Sequence, residues 1–255
     1  SAKKIKDSRI VKHAQSCKLL EELQGRRTGD PGGGGGYSQN RSRIVPRFQS
    51  GRHVAFVERF DPQTRSNRWL FLSDVCKHCH YAGCLEACPT GAIIKTDHDS
   101  VLVQEDLCNG CGYCVAACPF GVIGRSSQDG LAHKCTLCVD RLDEGLEPAC
   151  AKVCPTESIQ FGPLEELTKK ANERVDFLRR QGVSEARLWG LEGDDGGKDL
   201  GGLHAFYLLT DEAEMYGLPS NPVRPSERLI LDALYCLAAF MAVVLGFAAL
   251  VGGAS

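Results

Sequence analysis

The stretch Cys108-Asn-Gly-Cys111-Gly-Tyr-Cys114-Val-Ala-Ala-Cys118-Pro119 places four cysteines in one short segment. Its spacing, C-x2-C-x2-C-x3-C-P, is that of cysteines that hold 4Fe–4S clusters. Three thiolates of such a tight loop reach three iron atoms of one cubane, while the fourth is carried toward a neighbouring cluster. The stretch therefore predicts that the chain binds iron–sulfur clusters lying side by side.

Two further groups of four cysteines flank this stretch. They are Cys76-x2-Cys79-x4-Cys84-x3-Cys88-Pro89 and Cys135-x2-Cys138-x11-Cys150-x3-Cys154-Pro155. Each group ends in Cys-Pro before a predicted strand, so the three are repeats of one supersecondary unit. Because each group has four cysteines, no iron site is left open for a substrate. This predicts a relay of electrons and no catalytic site.

Disulfides and zinc sites are the two other uses of so many cysteines. Disulfides are disfavoured, because no secretory signal opens the sequence and neighbouring cysteines mostly stand three to five residues apart. Zinc is the main rival, since C-x2-C pairs also make tetrahedral zinc sites. Zinc ribbons and fingers seldom crowd four thiolates as the middle group does. A membrane-anchored zinc-binding scaffold is the remote alternative.

Charge is unevenly distributed along the chain. Residues 1–52 carry twelve Lys or Arg against four Asp or Glu, although the formal net charge of the whole chain is −2. A basic arm of this kind is typical of a docking surface. We expect it to face an acidic partner subunit and not nucleic acid.

Local patterns predict several regular elements. Residues 53–60 and 68–73 are expected to form strands, 92–95 and 101–104 a hairpin, and 203–209 a last strand. An apolar stripe predicts a helix from Pro163 to about Gln181. Residues 1–25 have a weak helical pattern. The eighteen uncharged residues Leu234 to Val251 are long enough to cross a bilayer.

With these features the chain resembles the iron–sulfur β subunits of membrane-bound formate dehydrogenases. The wider family serves molybdopterin oxidoreductases and some nickel–iron hydrogenases. The resemblance rests on the three cysteine groups, His133-Lys-Cys-Thr-Leu-Cys-Val-Asp-Arg-Leu142, Glu147-Pro-Ala-Cys150, Gly202-Leu-His-Ala-Phe-Tyr-Leu208, and Tyr216-Gly-Leu-Pro219 before a single helix.

The resemblance implies an α+β fold of tandem ferredoxin-like cluster-binding units plus one C-terminal transmembrane helix. Residues 1–52 would be a basic segment with a degenerate first cluster motif, and 53–162 the ferredoxin-like domains. Residues 163–225 would be an amphipathic helix and connector, and 226–252 the transmembrane helix.

Ferredoxin geometry implies that the first two groups exchange their last cysteines. Cluster one would then be held by Cys76, Cys79, Cys84 and Cys118. Cluster two would be held by Cys108, Cys111, Cys114 and Cys88.

The family normally has four cysteine motifs and four clusters, and this chain departs from that pattern. Counting back from Cys17 by the standard steps lands on His13, Ile10 and Asp7. We therefore expect three 4Fe–4S clusters. Cluster three would use Cys135, Cys138 and Cys150. Its fourth ligand would be Cys17, borrowed as the family borrows it, or Cys154 of its own group.

The implied function is a non-catalytic electron-transfer subunit. It would pass single electrons from a molybdopterin-type catalytic subunit, acting on formate, to a membrane cytochrome b-type or quinone-reactive subunit. The same relay in a nickel–iron hydrogenase or another molybdopterin reductase is the alternative.

The implied location is the bacterial inner membrane, with a single pass through the lipid bilayer. Arg224 and Arg228 before the helix favour a cytoplasmic cluster domain by the positive-inside rule. Respiratory members of the family resemble complexes that are exported already folded, so the periplasmic side is preferred here.

Overall fold

The computed structural model describes residues 8–13, 53–61 and 66–252. The predictions for Cys17 and for most of the basic segment lie outside these residues. Ten strands are described, and they are β1 (Ser8–His13), β2 (His53–Asp61), β3 (Ser66–Asp74), β4 (Ile93–Lys95), β5 (Val101–Val103), β6 (Gly124–Arg125), β7 (Ala132–His133), β8 (Ile159–Pro163), β9 (Arg187–Trp189) and β10 (Ala205–Leu209).

Six α-helices are described in the same residues. They are α1 (Gly83–Glu86), α2 (Tyr113–Ala117), α3 (Val139–Asp143), α4 (Ala149–Lys152), α5 (Leu164–Arg180) and α6 (Pro225–Gly252). Two short 3₁₀ turns, Lys198–Leu200 and Ala213–Tyr216, flank β10.

One four-stranded sheet joins distant parts of the chain in the order β8-β1-β10-β9. Strand β10 is the last strand expected from the sequence, and it is buried along its whole length. Strand β1 runs parallel to β10 and antiparallel to β8, with Lys12 opposite Ile159. The helix that the weak pattern of residues 1–25 predicted was therefore wrong over residues 8–13, which form a strand. Ladder hydrogen bonds to two neighbouring strands outweigh a weak local propensity.

Helix α5 covers this sheet and agrees with its predicted stripe. Leu167, Ala171 and Val175 are its buried residues, spaced four apart on one face. Pro163 precedes the helix, and the chain leaves it through Gly182, whose φ is +90°. Glu165 and Glu166 in the first turn and Arg179 and Arg180 in the last oppose the helix dipole.

The two long strands expected at 53–60 and 68–73 form an antiparallel pair, with Phe56 opposite Phe71. The expected hairpin is also present, with Ile93 opposite Val103. Buried residues of the hairpin, α1, α2 and strand β7 pack together with cysteines of the first two groups. The α+β class is confirmed.

The Cys-Pro repeat has a common backbone form. Gly91, Gly121 and Glu157, each three residues after the last cysteine of a group, have φ values of +68°, +60° and +51°. Each donates its N–H to the carbonyl of that cysteine. The left-handed conformation turns the chain out of the short helix into the next strand.

The C-terminal helix α6 begins against the cluster-binding part. Arg224 lies over the ring of Tyr81 and pairs with Glu86 and Glu227, and Ser226 donates to Glu86. Within the described part of the chain, no helix has both the length and the apolar character that a membrane crossing requires. The predicted transmembrane helix at 226–252 is not confirmed.

Candidate cluster-binding site

The first set of thiols gathers around Cys79. Burial raises the pKa of Cys79, and the neighbouring thiols of Cys76, Cys118 and Cys84 raise it further. These side chains come from the loop after β3, from α1 and from the end of α2. The fold thus brings the last cysteine of the middle group to the first three of the group before it.

The raised pKa values of Cys79, Cys84 and Cys118 favour protonated thiols at these three positions until a metal binds. Burial raises the pKa of Cys84 to about 12, Cys76 adds to the shift, and the Lys134 ammonium opposes it. Burial also raises the pKa of Cys118, while the backbone N–H of Val122 opposes the shift. Thiolates need a cation to form in such a place, so metal binding here must release protons.

The second set gathers around Cys114. Burial raises the pKa of Cys114, and Cys108, Cys111 and Cys88 raise it further. The same four cysteines line one cavity, together with the apolar residues Ala92, Ile93, Val103 and Ala132. Cys88 belongs by sequence to the first group but lies with the second set. Helices α1 and α2 pack against each other and bring about this exchange.

The structure therefore brings together the two predicted sets of four, and their use as iron ligands stays a prediction. Four converging thiolates are the donor set of a 4Fe–4S cluster, so the residues fit that group. Among the described residues, no three His, Cys, Asp or Glu side chains are grouped as a site for a single metal ion.

Comparison with known proteins agrees with this donor set. Residues 67–164 match the model of the 4Fe-4S dicluster domain. The formate dehydrogenase iron-sulfur subunit of Haemophilus influenzae is 43% identical over 172 residues, which are 65% of this chain and 53% of that protein. The nitrate-inducible formate dehydrogenase iron-sulfur subunit of Escherichia coli is 41% identical over 190 residues, 72% of this chain and 63% of that protein.

The chain is a homologue of formate dehydrogenase iron–sulfur subunits. It spans between half and two thirds of the length of these two relatives. Over a shorter stretch of 109 residues, 41% of this chain and 57% of the relative, it is 45% identical to the thiosulfate reductase electron transfer subunit of Salmonella typhi. These names agree with the prediction of a non-catalytic electron-transfer subunit.

The third cysteine group of this iron–sulfur subunit homologue surrounds a small core of Leu137, Leu142 and Ala205, against which Cys150 packs. The N–H of Leu137 donates to Cys135 Sγ at 3.5 Å. Cys138 has a left-handed φ of +53° and starts helix α3. The fourth ligand, Cys17 or Cys154, stays a prediction, and Cys17 lies outside the described residues.

Cys154 has the surroundings of a stabilised thiolate. Burial pushes its pKa upward, but Ser158 Oγ at 3.2 Å, Thr156 Oγ1 at 3.6 Å and nearby backbone N–H groups outweigh this, and the pKa falls to about 7. The shared Cys-Pro-Thr repeat gives Cys88 the same neighbour, with Thr90 Oγ1 at 3.6 Å. Burial raises the pKa of Cys88 too, and Thr90 with backbone N–H groups turns the net shift downward.

Two buried lysines beside the cysteines have no role predicted from the sequence. Lys77 is fully buried, and its Nζ lies 3.1 Å from an Asp74 carboxylate oxygen and 2.9 Å from the Val75 carbonyl oxygen. Burial would lower the pKa of Lys77, but Tyr207 and Asp74 outweigh it and raise that pKa. Lys134 is 8% exposed and contacts Cys76. In both cases the sequence did carry one signal of a role at the site, because each lysine stands next to a predicted ligand cysteine.

Proposed function

We propose that the chain relays single electrons as the iron–sulfur subunit of a formate dehydrogenase-type complex. The observation that carries this proposal is the convergence of two sets of four thiols within a 4Fe–4S dicluster domain. When bound, the clusters supply one-electron redox centres. The protein side chains hold them, shield them from water and set the local charge.

The proposed ligands are the three sets predicted from the sequence. Cluster one takes Cys76, Cys79, Cys84 and Cys118, and cluster two takes Cys108, Cys111, Cys114 and Cys88. Cluster three takes Cys135, Cys138 and Cys150 with Cys17, or less favourably with Cys154. This gives three clusters in total.

The register of strand β1 supports Cys17 as the ligand. Lys12 pairs with Ile159 at the beginning of β8, so β1 ends at the edge from which the Cys154 loop enters that strand. Cys17 follows His13 by four residues, which can span at most about 14 Å. Ile10 and His13, at the positions of two missing ligands, are part of the sheet ladder.

The order of the three sets follows from two contacts. Helices α1 and α2 pack together and place the first set beside the second. Lys134 bonds the carbonyl of Cys135 at 3.1 Å and lies 3.5 Å from Cys76 Sγ, so the first set also lies beside the third. We propose that the first set is the middle station of the relay.

The proposed partners are a molybdopterin-type catalytic subunit, with formate as its substrate, and a membrane cytochrome b-type or quinone-reactive subunit. The formate dehydrogenase relatives support this choice, because they match over the longer stretches. A second candidate is the same relay in another reductase. It is favoured by the shorter match to the thiosulfate reductase electron transfer subunit, which has a similar identity of 45% over 109 residues.

We also propose that helix α6 anchors the protein to a bacterial inner membrane, with the cluster domain on the periplasmic side. Support comes from the uncharged run Leu234–Val251 and from the exposure of Tyr235, Phe240 and Val243 by 73%, 66% and 71%. Exposed apolar side chains in such number mark a surface that another apolar phase covers. Retention of the protein in washed membranes tests the anchor. Digestion of the cluster domain by protease added to spheroplasts tests its periplasmic location.

Metal analysis of the anaerobically purified full chain tests the relay itself. Three clusters give about twelve irons with equal acid-labile sulfide, and dithionite reduction gives EPR signals of reduced 4Fe–4S centres. A few zinc ions with no visible absorption overturn the proposal in favour of the zinc scaffold. Co-purification with the native catalytic subunit distinguishes formate dehydrogenase from the other reductases.

A further inference from the structure

The charge of Lys134 has an unusual environment. Lys134 follows the short strand β7 and is 8% exposed. Its Nζ donates to the carbonyl oxygens of Val101 and Cys135 and to Cys76 Sγ, the last at 3.5 Å. None of these three acceptors is a carboxylate. Among the described residues, no Asp or Glu lies within ion-pair distance of Lys134.

Lys77 shows what an internally compensated lysine looks like in the same neighbourhood. Its Nζ has the Asp74 carboxylate at 3.1 Å and lies 5.5 Å and 5.2 Å from the ring centres of Phe120 and Tyr207. A buried ammonium without such a counter-charge is costly. The position of Lys134 therefore indicates an anion on the side of Cys76.

We propose that Lys134 is the resident counter-cation of the cluster held by Cys76, Cys79, Cys84 and Cys118, and that it raises the reduction potential of that cluster. This inference rests on the proposed function. A 4Fe–4S cluster with four thiolate ligands carries net negative charge, and reduction adds one more electron to it. A fixed positive charge against a ligand sulfur stabilises the reduced form more than the oxidised form.

Lys134 also precedes Cys135 directly and bonds its carbonyl oxygen. The lysine is therefore shared between the first and third sets, but sulfur contact is made with the first set. The effect on potential should be largest for cluster one. A raised reduction potential at the middle cluster favours transfer of the electron to that cluster.

The test is an EPR-monitored redox titration of the full chain carrying Lys134→Gln. At a fixed applied potential near the midpoint, we expect the ratio of reduced to oxidised cluster one to fall at least tenfold, which is 59 mV for one electron. Cys79→Ser, which removes a ligand of cluster one, identifies its signal. Lys134→Arg keeps the charge and should keep the ratio within about twofold. Lys169→Gln removes an equal charge from the exposed face of α5 and should leave the ratio unchanged.

An unchanged ratio for cluster one in Lys134→Gln, or an equal shift of all three signals, overturns the proposal. If Lys134→Gln loses about four irons, the iron content of Lys134→Arg distinguishes a need for the charge from a need for lysine packing. Retention of cluster one in that variant supports a need for charge, and its loss shows a need for lysine packing alone and overturns the proposal. A wild-type chain without iron and sulfide contradicts the proposed relay instead, so the two failures are distinguishable.

Discussion

The thiol of Cys118 lies close enough to that of Cys76 for the two to interact electrostatically, although they belong to different cysteine groups. Cys88 makes the reciprocal crossing to the side of Cys114. Each of the two thiol sets therefore depends on helices α1 and α2 staying packed. Loss of the last cysteine of either group, Cys88 or Cys118, should therefore remove the cluster of the neighbouring group.

We expect Cys118→Ser to remove cluster one and spare cluster two, because Cys118 completes the set of Cys76, Cys79 and Cys84. Iron content should fall by about four atoms per chain. EPR of the reduced variant should lack the same signal that Cys79→Ser lacks. Cys236→Ser, which changes an exposed cysteine of helix α6, is the control and should keep all iron. Loss of the signal that depends on Cys108 would contradict the exchange.

Alkylation of the assembled protein should separate Cys17 from Cys154. If Cys17 closes cluster three, Cys154 is a free thiol whose pKa of about 7 makes about half of it a thiolate at pH 7. Its labelling by iodoacetamide should then rise with pH through a midpoint near 7. Peptide mass spectrometry measures the modified fraction of each cysteine.

The hydroxyl of Ser158 is one source of the lowered pKa of Cys154, so Ser158→Ala should move this midpoint upward. Thr168→Ala, on helix α5, serves as the control. Protection of Cys154 together with labelling of Cys17 is the result that would assign the ligand to Cys154.

Gly91→Ala should destabilise the dicluster domain by about 1 kcal/mol, because its φ of +68° disfavours any residue with a Cβ. No atom lies within 4 Å of the added methyl group, so the cost is one of backbone conformation and not of packing. Thermal unfolding followed by circular dichroism measures the shift. Gly162→Ala is the matched control, since its Cβ would meet Leu167 at an ordinary 3.8 Å and its backbone needs no glycine. Equal melting temperatures for the two variants would contradict the backbone argument.

Lys77→Met should destabilise the fold by about 3 kcal/mol, because it removes the buried ammonium that pairs with the Asp74 carboxylate, which is 14% exposed. The double variant Lys77→Met/Asp74→Asn should recover part of this loss, since it removes both charges of the ion pair. Melting temperatures of the two single variants and the double variant give the coupling. A double variant that is as unstable as the sum of the two single variants would show that the ion pair contributes nothing.

Much of the fold could be predicted from local pattern. The stripe of Leu167, Ala171 and Val175 predicted helix α5, and local pattern predicted strands β2 and β3 and the β4–β5 hairpin. The Cys-Pro repeats predicted where the chain turns from each cysteine group toward the next strand. These features depend on neighbours within a few residues, for which periodicity and turn residues carry the information.

Long-range packing decided the rest. The weak pattern of residues 8–13 could not show that this segment pairs with both β8 and β10, because partners so distant in sequence leave no local signal. The same holds for Lys134. The packing of β5 and the third cysteine group buries its ammonium and places carbonyl oxygens, and no carboxylate of the described residues, next to it.

The amino-acid sequence by itself determined the chemistry of this protein, because the spacing of thiols along a short loop selects a cubane cluster. The tertiary structure alone decided which charges surround those thiols. Lys77 finds a carboxylate and Lys134 finds the sulfur of Cys76, although each lysine stands directly beside a cysteine in the sequence. Burial makes that difference count, since an ammonium removed from water must find its counter-charge among the groups that the fold places next to it.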